Sequence, residues 1–123
     1  MIRNIIYIAA GSALGGVSRY LLSRWINALI PALIPWGTFS VNVLGSFLTG
    51  IFYGMAVKNE SLAPAIVLLL TTGFCGGFTT FSAFAFENMQ LIKSGASLMA
   101  FSYTAISLVV GLAAVFLGFQ IIK

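Results

Sequence analysis

Four apolar stretches, each long enough to cross a bilayer, alternate along the chain with short polar or proline-containing breaks. A transmembrane helix needs roughly 20 predominantly apolar residues, and the pattern predicts spans at about 4–25, 36–57, 62–86 and 95–122. Pro31 and Pro35 punctuate the first connection. Trp36 follows at the headgroup level, where aromatic side chains anchor. Lys58-Asn59-Glu60-Ser61 makes the second connection, with Ser61 as the expected helix cap ahead of Pro64. Glu87 through Gly95 makes the third. The N-terminus runs straight into apolar sequence and offers only Ala9-Ala10-Gly11 as a weak cleavage-like site, so it is read as a retained first span. The predicted fold is an all-α membrane protein of four transmembrane helices in one channel-sized domain, 1–123, with no visible internal repeat.

Composition agrees with this pattern. The chain is 60% hydrophobic and 7% charged, whereas soluble domains carry roughly 25% charged residues. Six dispersed cations make no basic patch, which argues against nucleic acid despite a pI near 9.7. They read instead as anchors and topology signals. Arg3, Lys58 and Lys123 fall on one face of a four-span protein and Arg19, Arg24 and Lys93 on the other. A tied Lys/Arg count selects no orientation, so dual topology is expected, with each copy paired to an inverted twin. Arg19 lies too close to Arg3 for a full-length neutral span between them. It either snorkels to the interface, the commoner behaviour, or projects into a polar cavity.

Enzyme chemistry has little to draw on. The chain has no histidine, one cysteine (Cys75) and two carboxylates near the expected span ends, so no disulfide, catalytic constellation or metal-ligand spacing is present. Transport has more. Thr38, Asn42, Ser46 and Thr49 recur on one face of the second span, and Tyr103, Ser107 and Gly111 share a face of the fourth. Two readings stay open for these groups: they line a path, or they bond between helices and back to their own carbonyls. As neutral donors they suit a small anion that must also leave. Gly11-x-x-x-Gly15, Gly50-x-x-x-Gly54 and Gly73-x-x-x-Gly77 predict close helix contacts without naming the partners.

The third span is unusual at its centre, where "TTGFCGGFTTFSAF" places glycines, hydroxyls and aromatic rings with no charge. Gly76-Gly77 followed by Thr79-Thr80 predicts a helix break whose freed carbonyls suit a cation. Phe81 and Phe84 are three residues apart, and their positive ring edges can face an anion; ordinary packing is the alternative, and is the reading for Phe78.

"GGFTTFSAF" (76–84), with "WGTFSVN" (36–42) before it, resembles the bacterial Fluc fluoride channel family across essentially the whole chain. The resemblance implies an antiparallel, dual-topology homodimer in the bacterial inner membrane. It implies passive conduction of fluoride through two pores, protecting cells in which fluoride entered as the neutral acid is trapped as the ion. By the same resemblance Phe81 and Phe84 are the pore phenylalanines, Asn42 the pore asparagine, and Tyr103 and Ser107 the polar track; Thr38, from the polar face of the second span, is a further expected pathway residue. Gly76 and Thr79 match positions whose backbone carbonyls, from both subunits, hold a structural sodium ion at the dimer interface. Arg19 matches a basic residue near the end of the first span, a possible vestibule position. Gly111 departs from relatives that continue the track with serine.

Two other classes compete. A proton-coupled exporter similar to small multidrug resistance proteins needs a membrane-embedded carboxylate, usually in the first span, where this chain has none. A holin-like assembly protein would need neither Asn42 nor the glycine-threonine break.

Overall fold

The computed structural model describes residues 1–122, which form helices joined by short connections, with no strand among them. α1 covers Ile2–Leu29 and α2 Trp36–Lys58. The third span, Pro64–Lys93, is composite. α3 (Pro64–Leu68) passes into a π-helical stretch (Leu69–Cys75) and a single turn, α4 (Gly76–Phe78), before the chain unwinds and resumes as α5 (Ser82–Lys93). α6 covers Ser97–Ile122. Among the described residues, four helical segments are thus long and apolar enough to cross a membrane. Lys123, counted above for orientation, lies outside the described residues.

Local chemistry explains most boundaries. α1 passes the expected end near residue 25 because nothing from Ile26 to Leu29 breaks a helix; Ile30, forced out of the helical region by Pro31, stops it at φ −125°, ψ 79°. α2 has no cap of its own after Pro35, and Asn27 of α1 supplies one, its Oδ1 accepting the Gly37 N–H at 2.9 Å. Ser61 does not cap the third span. Its N–H and hydroxyl both turn back to Asn59 Oδ1, and Pro64 opens α3 at the first helical position, where its missing N–H costs nothing.

The third connection is shorter than expected. Residues 87–93 are good helix formers and stay in α5, so Glu87 lies within the span instead of opening a loop. The helix ends in a Schellman motif: Ala96 N–H donates to the Leu91 carbonyl at 2.8 Å and Gly95 N–H to the Ile92 carbonyl at 3.1 Å. Gly95, at φ +87°, takes the left-handed position that motif requires.

Glycine contacts pair the helices. A Cβ on Gly11 would strike the Leu69 carbonyl oxygen, and one on Gly15 the Phe74 carbonyl oxygen, so α1 and the third span touch backbone to backbone. From the other side, a Cβ on Gly77 would come 2.6 Å from the Ser12 carbonyl oxygen. Gly50 of α2 meets the Val115 carbonyl, and Gly118 of α6 meets that of Phe47. Two close pairs result, α1 with the third span and α2 with α6. Lys58 Nζ donates to the Ile122 carbonyl at 3.1 Å, putting the second connection and the end of α6 on one face.

Gly118→Ala should force the α2–α6 backbones apart and lower stability by about 1–3 kcal/mol, the usual cost of overpacking. Gly111→Ala, whose Cβ would meet only Ser46 Oγ at an ordinary 3.8 Å, should leave thermal unfolding in detergent near the wild-type temperature.

Candidate functional site

The break falls at the Thr79-Thr80 end of the stretch where the sequence predicts it. Gly76 and Gly77 remain helical, and the chain turns extended at Thr79, with φ −88° and ψ 159°. Extending the backbone there strands peptide groups where the hydrocarbon core offers no water, and each must find a partner within the protein.

Asn42 supplies the main one. Its Nδ2 donates to the Thr80 carbonyl at 3.0 Å, and its Oδ1 accepts the Thr80 N–H at 2.8 Å. One side-chain amide therefore replaces both hydrogen bonds that Thr80 would have made in a helix. The Thr80 hydroxyl in turn accepts the Ala83 N–H at 3.2 Å, capping the start of α5. Thr79 Oγ1 donates to the Cys75 carbonyl at 2.9 Å, beside the Thr79 N–H at 3.0 Å. Arg19 reaches the same place from α1, its Nε donating to the Gly77 carbonyl at 3.1 Å. The expected snorkelling is thus replaced by an inward contact. A cation beside free carbonyls at a helix C-terminus is favourable.

These bonds leave a pattern at Gly76 and Thr79. Their helical partners would be the N–H groups of Thr80 and Ala83, and those two donors are committed to Asn42 and to the Thr80 hydroxyl. Gly76 also lies on the exposed face of the chain. Backbone oxygens so freed suit a hard cation, and among the described residues no group of three His, Cys, Asp or Glu side chains competes for one.

Beside the break opens a cleft of about 340 Å³, lined in part by Asn42, Ser46, Phe81, Phe84, Ser107 and Gly111. The walls carry no charged side chain. The Phe81 and Phe84 rings lie 6.1 Å apart at 45°, with Phe81 80% exposed on the monomer surface and Phe84 packed against Tyr103 at 5.0 Å. Ser107 Oγ is buried without a hydrogen-bond partner among the described residues. Thr49 also lines the cleft, but its hydroxyl is spent on the Gly45 carbonyl at 2.8 Å. Phe78 does what packing predicts: it is 3% exposed and stacks on Phe74 at 5.5 Å.

Two residues expected beside these sit one step away. Thr38 Oγ1 donates to Glu87 Oε2 at 2.6 Å, and the Tyr103 hydroxyl donates to Glu87 Oε1 at 3.2 Å. Both carboxylate oxygens are thereby held between α2 and α6. Glu87 borders a separate cleft of about 450 Å³ near the first connection, alongside Asn27, Pro35, Gln90 and Ser94. The sequence reading missed Glu87 by treating its charge as a span terminus. Its position three residues after Phe84, on the same side of a helix, was the available signal.

The family model described as "CrcB-like protein, Camphor Resistance (CrcB)" matches residues 6–119. The chain belongs to this family. A CrcB relative from Gloeothece citriformis, named a fluoride-specific ion channel FluC, is 44% identical over 98% of this chain and 97% of its own length. Relatives of the same name from Flavobacterium psychrophilum and Bacteroides fragilis are 43% and 45% identical, covering 98% and 94% of this chain and 98% and 93% of their own lengths. With four segments able to span a membrane, this CrcB-family chain is a multi-pass bacterial membrane protein.

Replacing Asn42 with Leu should leave both Thr80 peptide groups unpaired, at about 1–3 kcal/mol each. The expected result is a lower unfolding temperature together with faster hydrogen exchange at residues 79–83. Exchange there at the wild-type rate would remove Asn42 from this role.

Proposed function

We propose that the chain is a passive, fluoride-selective channel that lets fluoride leave the cytoplasm down its gradient and so confers fluoride resistance. The observation that carries this reading is the uncharged cleft beside the break, with Phe81 and Phe84 in its lining and a buried Ser107 hydroxyl left without a protein partner among the described residues. Relatives named as fluoride-specific channels support it along nearly the full length.

Fluoride is small and strongly hydrated, so a path must replace its water with donors. Ser107 offers its hydroxyl hydrogen. Asn42 keeps a second Nδ2 hydrogen after bonding Thr80. Bonds from such groups to an anion are charge-assisted. The ring edges add weaker positive potential, which lets the ion pass between sites instead of resting at one. Tyr103 and Thr38 act behind this row: Tyr103 backs the Phe84 ring, and together they keep the Glu87 carboxylate turned from the cleft.

The working unit in this reading is an antiparallel homodimer. The balanced Lys/Arg count supports it, as do the exposed Phe81 ring and the exposed Gly76, which a second copy would cover. Gly76 and Thr79 carbonyls from both copies would hold a sodium ion, whose charge offsets the carbonyl dipoles that converge there.

Purified protein in liposomes should release fluoride down its gradient without a proton gradient, read by a fluoride-selective electrode, and release chloride far more slowly. Phe81→Ile or Phe84→Ile should each lower the fluoride rate about threefold to tenfold, the scale of one lost aromatic contact. Strict dependence on an opposing proton gradient would move the chain to the exporter class.

Exchanging sodium for a larger cation should lower activity and weaken the dimer in detergent. Full activity in rigorously sodium-free buffer would remove the ion from the account. Lysines added to one connection should bias insertion and lower function unless an oppositely biased copy is co-expressed.

A further inference from the structure

The unwound step at 79–81 interrupts the backbone hydrogen-bond ladder, so α5 is not held in line by the half-helix before it. Yet α5 carries Phe84, which lines the cleft across from Ser107 and Gly111 of α6. Side chains must therefore fix α5. One such link, Glu87 to Tyr103, was described above. A second lies one residue further along both helices. Thr104 Oγ1 donates to Asn88 Oδ1 at 3.1 Å, and Asn88 Nδ2 donates back to the Phe84 carbonyl at 3.0 Å. Thr104 and Asn88 are half-buried, and they border a groove of about 300 Å³ with Ile92, Ser97, Ala100 and Phe101. None of these residues lines the cleft at the break.

We propose that Asn88 and Thr104 form a clamp that positions Phe84 for conduction without touching the ion. The chain of contacts is short. Thr104 fixes the Asn88 amide, and the amide grips the peptide group of Phe84. The Phe84 ring then stands at a set distance from Tyr103, which precedes Thr104 on α6. Asn88 can serve both partners at once because its oxygen and nitrogen face opposite ways, one across to α6 and one back along α5. Interhelical bonds of this kind in membranes are individually modest. Their effect is on geometry: a small tilt of α5 moves the ring edge while the α1 and α2–α6 contacts that maintain the fold remain. The clamp rests on the reading of Phe84 as a pathway residue.

Thr104→Val removes only the hydroxyl at nearly constant shape, and Thr104→Ser keeps it. Two measurements separate positioning from folding. The fraction of vesicles emptied at low protein density counts folded channels, and single-channel fluoride current in planar bilayers reads the rate per molecule. The clamp predicts that Thr104→Val keeps the wild-type fraction but lowers current per channel about threefold to tenfold, the scale of one interhelical bond in a membrane. Thr104→Ser should restore the current. Wild-type current per channel in Thr104→Val, or a loss confined to the fraction of active vesicles, overturns the clamp. Phe84→Ile measured alongside guards the premise: if it conducts at the wild-type rate, the pathway reading falls and the clamp falls with it.

Discussion

An interrupted helix in a medium without water depends on finding new partners for the peptide groups it frees, and here one amide does most of that. Asn42 matches both the donor and the acceptor of Thr80 and lets the third span unwind within the apolar slab. The rest of the site follows from that exchange. With the Thr80 N–H taken by Asn42 and the Ala83 N–H by the Thr80 hydroxyl, the carbonyls of Gly76 and Thr79 lose their helical partners. With the chain extended at Thr79, α5 restarts at an offset that brings Phe81 and Phe84 to the cleft. Asn42 is thus both the support of the break and part of its wall.

Around this centre the glycine contacts act as a rigid frame. The α1 contacts at Gly11 and Gly15 hold the first half of the third span, and Gly50 and Gly118 lock α2 to α6. Neither contact extends to α5. That half-helix is positioned instead by an apolar cluster, Leu91 and Phe84 with Ala100 and Tyr103, and by hydrogen bonds from Thr38, Tyr103 and Thr104 to Glu87 and Asn88. The division suits a site that must be firm at the carbonyls yet finely placed at the rings.

The four spans were legible because hydropathy and length alone decide them. Polar spacing brought up Asn42 and Ser107, the family resemblance brought up Phe81 and Phe84, and the cleft brings these four together. What was not legible depends on contacts between spans. The break at Thr79-Thr80 was legible, but the packing of Gly77, which admits the Ser12 carbonyl, was not. The π-helical stretch before it has no sequence mark of its own. For Thr38 and Tyr103 the sequence hid the shared partner, Glu87, a residue read as a span end that accepts from both. Arg19 near a span end suggested an interface residue, whereas a free carbonyl at the break draws it inward.

In the proposed reading, conduction uses donors the fold leaves uncommitted. Ser107 and Thr49 line the same cleft, but the Thr49 hydroxyl is already bonded to the Gly45 carbonyl while Ser107 Oγ has no protein partner. The most direct measurement compares fluoride efflux from liposomes holding Ser107→Ala or Thr49→Val at equal active fraction. The account predicts a clear loss of rate in Ser107→Ala and a near wild-type rate in Thr49→Val. A wild-type rate in Ser107→Ala with a loss in Thr49→Val would contradict it.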